Sequence, residues 1–361
     1  MLMTTPAVAE DAFRAELHAY HDLRVARVIR ETPDTCSVVF EVPPALASQF
    51  AYQAGQFLTF RVEHAGRDLT RCYSLSSSPD TDSEHRVTIK RVPDGRVSNW
   101  FNDAVKRGDT LRVLPPAGRF TLKNRETPLL LFAGGSGITP VFSILKTALA
   151  STKRRVRLVY ANRDPGSVIF RAELEELAAR QRERFRLSHH LDSERGFLAA
   201  EDVHAALDGW LDADCYVCGP APFMDLVEQT LLAASVPREH VFVERFVSPS
   251  DPDEVSARQA STKAAGDLAV PDQIRVRWDG KLHLVPYREG QTLLEAAVAA
   301  GVDPPYSCEE GYCSSCQAKL TSGQVKMAVN DCLSDDEIAD GCILACQAYP
   351  LTEDIEIDWD A

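Results

Sequence analysis

Cys308, Cys313 and Cys316 fall within the run Tyr306-Ser307-Cys308-Glu309-Glu310-Gly311-Tyr312-Cys313-Ser314-Ser315-Cys316, and Cys346 follows thirty residues after the last of them. Three thiolates on one tight loop and a fourth from a distant segment is the plant-type spacing for a [2Fe-2S] cluster. Gly311 lets the loop backbone fold close to the sulfides, where free amides can hydrogen-bond to sulfur. A structural zinc site favours two Cys-x2-4-Cys pairs rather than three ligands plus one. Cys332 and Cys342 lie between Cys316 and Cys346 and, on spacing alone, compete for the fourth place. A cluster of this kind passes single electrons, so the rest of the chain is expected to supply them.

Two further groups carry chemistry. Arg71-Cys72-Tyr73-Ser74 combines a planar donor fork suited to a diphosphate with an aromatic ring suited to a flat conjugated ligand. Alone, four such residues read as a surface strand. Gly134-Gly135-Ser136-Gly137-Ile138-Thr139-Pro140 follows the apolar run Leu129–Ala133. A glycine turn there, from strand to helix, places a helix N-terminus where ligand phosphates bind in open α/β sheets. It is not the Gly-x-Gly-x-x-Gly fingerprint, and alone it could simply pack helix against strand. Cys215-x2-Cys218 invites a redox or zinc reading. We reject it: alternation is taken to set Val217 opposite both cysteines, with Cys215 a small buried strand residue.

The elements that must position these groups fall into three textures. Residues 1–21 form an Ala-rich extension with a helical pattern over Glu10–His21. Residues 22–123 show short β segments at Leu23–Arg30, Cys36–Glu41, Phe57–Val62, Thr70–Ser76, Arg86–Arg91 and Thr110–Val113, with a helix near Val97–Ala104. Pro, Gly and Asp punctuate them as in a β-barrel or sandwich. Residues 124–247 alternate strands and helices, which implies a parallel sheet covered on both faces. Residues 248–269 are rich in Ser, Asp, Ala and Pro and read as a flexible linker. Residues 270–361 open with the hairpin signal Asp279-Gly280 and form a small α+β domain around the cysteine loop.

At 361 residues, two or three domains are expected. A hydrophobic fraction of 45% and ten cysteines without an export signal suit a chain in a reducing cytoplasm, with cysteines used for metal rather than disulfides. No apolar run approaches the ~20 residues of a membrane span. The net charge of −14 argues against nucleic acid as a partner. From Asp331 to Ala361 there are ten Asp or Glu and no Lys or Arg, while basic residues gather between Lys153 and Arg186. That acidic stretch reads as a face steering a basic electron acceptor, or simply as a solvated surface.

In their order and distances, the Arg-x-Tyr-Ser and Gly-Gly-Ser-Gly-Ile-Thr-Pro segments resemble the ferredoxin–NADP reductase superfamily. The resemblance implies FAD on the barrel: Arg71 on its pyrophosphate, Tyr73 on the isoalloxazine face and Ser74 near the reactive nitrogen. Gly95-Arg96-Val97-Ser98-Asn99-Trp100 matches the second phosphate segment, with Val97 and Ser98 at a helix N-terminus. Thr88 and Lys90 match the strand that passes the flavin. By the same resemblance Gly134, Gly135, Gly137, Thr139 and Pro140 hold the nicotinamide half of NADH or NADPH. Cys218, Gly219, Pro220 and Met224 match the Cys-Gly-x-x-x-Met segment, where Cys218 lies beside the hydride path. Asn162 and Arg163 end the strand that reads the adenosine ribose, and Glu244 and Phe246 match a carboxylate and an aromatic near the flavin. Arg163 speaks for NADPH and Asp164 for NADH.

FAD barrel, nicotinamide domain and C-terminal plant-type (β-grasp) ferredoxin together resemble the reductase components of multicomponent oxygenases. Within these the chain is most similar to those serving 3-ketosteroid 9α-hydroxylase, a Rieske-type system, and phenylacetyl-CoA epoxidase; Arg71–Pro79, Asp94–Trp100, Val329-Asn330-Asp331 and Ile343-Leu344-Ala345-Cys346-Gln347 resemble the ketosteroid one in particular. The resemblance makes Cys346 the fourth ligand. Glu309 and Ser314 depart from relatives that often carry a basic residue and a glycine there. The implied activity passes hydride from NAD(P)H to FAD, then single electrons through the cluster to a terminal oxygenase, by a monomer without membrane or nucleic-acid partners. The rivals are a reductase for a diiron monooxygenase and, from another class, a non-catalytic redox sensor. A sensor has no need of Tyr73, Ser74 and a glycine turn.

Overall fold

The computed structural model describes residues 19–247 and 251–361. The helical pattern expected over Glu10–His21 lies, up to residue 18, outside the described residues. Two compact units divide at Phe246/Val247.

In the first unit, β1 (His21–Thr32), β2 (Thr35–Glu41), β3 (Phe57–His64), β4 (Arg67–Ser74), β5 (His85–Lys90) and β6 (Thr110–Ala117) form one antiparallel sheet, ordered β4-β3-β6-β1-β2-β5. A bridge from Leu75 to Val87 ties one sheet edge to the other and closes a barrel. Its interior holds Leu23, Val38, Phe60, Val87, Ile89 and Phe101, the last from helix α1 (Arg96–Asp103). The alternating apolar residues of each strand account for this filling.

A parallel sheet follows, made of β7 (Leu129–Gly134), β8 (Val156–Asn162), β9 (Phe185–Leu191), β10 (Asp214–Gly219) and β11 (Val241–Arg245). Its order β11-β10-β7-β8-β9 reverses direction at β7, the topological switch point where such sheets bind ligands beyond their strand ends. Helices α2 (Ile138–Ser151), α3 (Arg171–Arg180), α4 (Ala200–Leu207) and α5 (Ala221–Ala233) cover two separate apolar faces. Cys215 and Val217 belong to one face, Tyr216 and Cys218 to the other. This corrects the sequence reading: the two cysteines are three residues apart and therefore point to opposite sides of the strand.

Barrel and parallel sheet are welded by specific contacts. Ser78 Oγ meets Thr147 Oγ1 at 2.7 Å, Ser143 Oγ donates to the Ser77 carbonyl at 2.6 Å, and Lys146 pairs with Asp82. The Arg86 guanidinium lies 5.0 Å over the Phe170 ring and reaches Glu173 at 3.1 Å. These bonds fix the barrel strand ends relative to the glycine turn.

The second unit contains helix α6 (Pro252–Ala264), β12 (Gln273–Trp278), β13 (Lys281–Pro286), α7 (Leu293–Ala299), β14 (Gln317–Ser322), β15 (Val325–Met327), α8 (Asp335–Ala339), β16 (Cys342–Leu344), β17 (Ala348–Pro350) and β18 (Glu356–Asp358). Its main sheet runs β13-β12-β18-β14-β16, with β12 and β18 parallel. Asp279 and Gly280 both adopt positive φ (53° and 67°), as the two-residue hairpin signal requires. Helix α6 lies within the stretch read as a linker. Asp251 caps it, Val255 and Thr262 are buried, and the Lys263 ammonium sits 5.6 Å over the Tyr349 ring. Among the described residues no helix is long and apolar enough to cross a membrane.

Candidate functional site

Tyr73 comes from β4, where its ring is braced edge-on by Phe101 at 5.3 Å and tilted against Phe60 at 5.9 Å. Burial raises its phenol pKa, so the ring presents a neutral aromatic surface. Arg71, two residues earlier on the same face, donates to the Thr70 carbonyl at 2.7 Å, and Ser74 ends the strand almost fully covered. Helix α1 begins at Gly95 without a side-chain cap, a helix start of the kind that suits an anion. A β-carbon on Gly95 would lie 2.4 Å from Ser98 Oγ, which accepts from the Val92 amide at 3.2 Å. Val97 is buried beneath the same turn. An aromatic platform, a guanidinium and an uncapped helix start are the donor set that an aromatic ring carrying a diphosphate needs, and FAD fits it.

Thr88 and Lys90 separate in role. The Thr88 hydroxyl is held between Ser37 and Ser76, each at 2.7 Å, and has no exposed face. Lys90 instead reaches out of the barrel, its ammonium 3.7 Å from where a side chain on Gly135 would begin.

The nicotinamide side is shaped by absent side chains. A β-carbon on Gly137 would stand 2.0 Å from the Cys218 carbonyl oxygen, and one on Gly219 would stand 3.0 Å from the Gly134 backbone. A β-carbon on Gly134 would lie 2.9 Å from the Pro220 ring. The ends of β7 and β10 therefore touch backbone to backbone. Helices α2 and α5 both start at this point with neither a side-chain cap nor an acidic residue in the first turn. Two positive helix ends over a glycine floor suit a dinucleotide. Asn162, at the end of β8 and 4% exposed, lies near the Tyr160 hydroxyl, yet neither its Oδ1 nor its Nδ2 has a hydrogen-bond partner of ordinary geometry. A buried amide left open at the carboxyl edge of the sheet is what a ligand's polar groups would satisfy. Thr139, Pro140 and Met224 are buried and build the floor; Thr139 Oγ1 donates to the Ser136 carbonyl at 3.0 Å.

Cys218 is fully buried, and burial, with the Glu244 carboxylate paired opposite it on β11, pushes its thiol pKa well up. Burial likewise raises Cys215 to about 12 and Cys36 to about 11. At neutral pH all three are expected to resist iodoacetamide in the folded protein and to label on denaturation; mass spectrometry of the labelled peptides checks this. Phe246, just past β11, is 42% exposed.

In the second unit the cysteine loop is held by its carbonyls. Gln347 Nε2 donates to the Glu309 carbonyl at 2.8 Å, the Asp331 amide to Gly311 at 3.0 Å, and the Trp359 indole to Cys316 at 3.2 Å. Loop amides turn toward sulfur: Glu310 N lies 3.4 Å from Cys308 Sγ and Cys308 N lies 3.5 Å from Cys313 Sγ. Cys346 Sγ stands 3.2 Å from Cys316 Sγ. Four thiols within a shell of backbone amides fit a [2Fe-2S] cluster. Cys332 donates instead to the Gly311 carbonyl at 3.6 Å, and Cys342 lies on β16 opposite Lys319. Glu309 and Ser314 both take left-handed φ (57° and 54°). A glycine at 314 would hold that conformation without strain.

Sequence reasoning missed several supports. Gln347, fully buried, also accepts from Gln259 of α6 at 3.2 Å, and no local pattern marks that bond. Asp34, in an ordinary-looking turn, meets Lys90 and Arg163. The acidic tail divides: Glu356 and Asp354 pair with Arg275 at 2.7 and 2.8 Å, and Asp360 accepts the Asp279 and Gly280 amides at 3.0 and 2.9 Å. Asp335, Asp336 and Asp340 remain exposed beside Ile338 on and just after α8.

Three family models match in succession: an oxidoreductase FAD-binding domain over residues 22–122, an oxidoreductase NAD-binding domain over 131–229 and a 2Fe-2S iron-sulfur cluster binding domain over 276–351. The chain is 45% identical to the ferredoxin reductase component of 3-ketosteroid-9-alpha-monooxygenase from Rhodococcus rhodochrous, covering 93% of this chain and 96% of that protein. It is 33% identical to one of the subunits of 1,2-phenylacetyl-CoA epoxidase from Escherichia coli, covering 95% and 98%. Phthalate dioxygenase reductase, described as a modular structure for electron transfer from pyridine nucleotides to [2Fe-2S], aligns over 98% of this chain and 100% of its own, at 27% identity and a TM-score of 0.56. The chain thus belongs to the ferredoxin–NADP reductase family, as a three-domain reductase component of multicomponent oxygenases that uses FAD, NAD(P)H and a [2Fe-2S] cluster.

Proposed function

We propose that this reductase serves the oxygenase of a 3-ketosteroid 9α-hydroxylase, a Rieske-type system, working as a cytoplasmic monomer. The observation that carries the reading is the 45% identity sustained over 93% of the chain, which spans all three domains. The bound groups supply the redox chemistry: a two-electron hydride acceptor that can release electrons singly to a one-electron carrier. What the chain's residues contribute is position. Tyr73, Arg71, Ser74 and the start of α1 at Gly95 would seat the flavin. Gly134, Gly137 and Gly219 would admit the nicotinamide to touching distance, with Cys218 and Glu244 behind it. Cys308, Cys313, Cys316 and Cys346 would hold the cluster.

The exposed Asp335, Asp336 and Asp340, set around Ile338, supply an acidic and partly apolar patch that a basic acceptor could use. A second reading, service to a phenylacetyl-CoA epoxidase, is supported by the 33% identity over 95% of the chain. The two separate in one experiment. Purified reductase with NADH or NADPH is combined with each oxygenase component and its substrate, and hydroxylated steroid or epoxide is measured. Coupled steroid hydroxylation is expected. NAD(P)H consumption coupled only to epoxide formation would replace the first reading with the second.

A further inference from the structure

Asp34 occupies the two-residue turn between Thr32 and Thr35, on the barrel, yet its charge faces the nucleotide side. Oδ1 accepts from the hydroxyls of Thr32 at 2.8 Å and Thr35 at 3.2 Å, and the Arg91 amide donates to the Asp34 carbonyl at 2.8 Å. So anchored, the carboxylate turns Oδ2 toward two cations. The Arg163 guanidinium, at the end of β8, lies 3.2 Å from that oxygen, and the Lys90 ammonium, at the end of β5, lies 3.9 Å from it.

These cations are placed for something larger than a carboxylate. Lys90 stands over Gly135 in the glycine turn, and Arg163 follows the open amide of Asn162. Together they straddle the carboxyl ends of β7 and β8, where a dinucleotide lays its phosphates and ribose. The neighbouring Asp164 does not balance them in the same way, because its Oδ1 accepts the Ser167 amide at 3.0 Å and caps a short turn. Burial draws the Lys90 pKa down, and Asp34 is the principal group opposing that. Arg163 keeps 68% of its side chain exposed, so it can swing from one anion to another.

We propose that Asp34 is a resident counter-anion of the dinucleotide crevice. It holds Lys90 and Arg163 in place between turnovers and yields them to a phosphate of incoming NAD(P)H. It is a positioning residue: it acts through Lys90 and Arg163, and it weakens nucleotide binding by competing for the same cations. No bond is made or broken; one ion pair is exchanged for another. The inference rests on the reading that this crevice takes NAD(P)H, and it assigns the barrel a part in setting nucleotide affinity.

The test compares Asp34→Asn, Asp34→Glu, Lys90→Gln and Arg163→Gln in the full-length holoprotein, with ferricyanide as acceptor and inorganic pyrophosphate as inhibitor. Asparagine keeps Oδ1 for the two threonine hydroxyls, and flavin content and melting temperature report that the fold persists. Asp34→Asn is expected to lower KM for NAD(P)H and the pyrophosphate inhibition constant together, by roughly two- to fivefold, the worth of one partly exposed ion pair. Asp34→Glu, which keeps the charge, is expected to stay near the parent, while Lys90→Gln and Arg163→Gln raise both constants. An Asp34→Asn protein with KM unchanged or raised, beside an Arg163→Gln protein with KM raised, overturns the counter-anion role and leaves the crevice reading standing. No shift in either constant from any of the four overturns the crevice reading itself.

Discussion

Replacing Cys346 by serine is expected to abolish the visible absorbance of the [2Fe-2S] cluster and, with it, delivery of electrons to an oxygenase. Reduction of ferricyanide at the expense of NAD(P)H should persist, because the flavin and nicotinamide residues belong to the other compact unit. The reason is chemical before it is structural. Ferric and ferrous iron bridged by sulfide are held by soft thiolates, and a serine hydroxyl is a poor substitute. Cys346 Sγ already stands 3.2 Å from Cys316 Sγ, on a segment anchored by the bond from the Ala345 amide to the Cys316 carbonyl. Cys332→Ser and Cys342→Ser are the controls. The first loses a thiol that donates to the Gly311 carbonyl and accepts from the Ser314 amide, and the second a side chain on β16. Absorbance spectra and low-temperature EPR of the reduced proteins check all three. A cluster retained in Cys346→Ser and lost in Cys332→Ser would reassign the fourth ligand.

Asp214→Asn is expected to destabilise the flavin–nicotinamide unit by about 3–5 kcal/mol, the cost of leaving a buried charge without its partner. Both Arg154 and Asp214 have side chains fully withdrawn from solvent, joined at 2.5 Å. Asp214 also meets Arg125 at 3.1 Å and lies 2.9 Å from His240 Nδ1, so one carboxylate answers two guanidinium groups. Arg154 further donates to the carbonyls of Thr127 and Lys123, which tie the chain entering β7 to the start of β8. Neutral asparagine leaves the guanidinium uncompensated and unable to leave. The double variant Arg154→Met/Asp214→Leu should lose less than the single one, since it removes the charge together with its partner. Chemical denaturation followed by flavin fluorescence measures both. Catalysis by the folded fraction should change little. The pair lies where β8 and β10 begin, and the glycine turn lies at the opposite ends of the sheet strands.

Much of this molecule could be read from local pattern, for identifiable reasons. Strands β12 and β13 follow directly from the Asp279-Gly280 turn, and the strand–helix alternation of residues 124–247 is the parallel sheet with its covering helices. The glycine turn announced a close approach, and the backbone contact of Gly137 with Cys218 supplies its cause. What escaped depends on partners distant in sequence. Helix α6 has little apolar surface of its own and is stabilised through Gln259 and Lys263 against residues some ninety positions away. The acidic tail seemed uniform because Arg275 and Arg277, which absorb Glu356 and Asp358, lie far upstream. Asp34 carried no signal, since Pro-Asp is common in turns of every kind, and its meaning comes only from Lys90 and Arg163.

The buried thiols bear on how long such a protein survives its own work. A reductase that hands single electrons toward dioxygen chemistry operates among partly reduced oxygen species, and peroxide attacks thiolates far faster than thiols. Cys36, Cys215 and Cys218 lie sealed in apolar surroundings that keep their protons on. Cys218, fully buried beside the glycine turn, is therefore expected to resist oxidation by peroxide in the folded protein. Placement in this fold covers as well as positions: Gly137 packs backbone to backbone on Cys218, and the sulfur of that residue has no exposed surface.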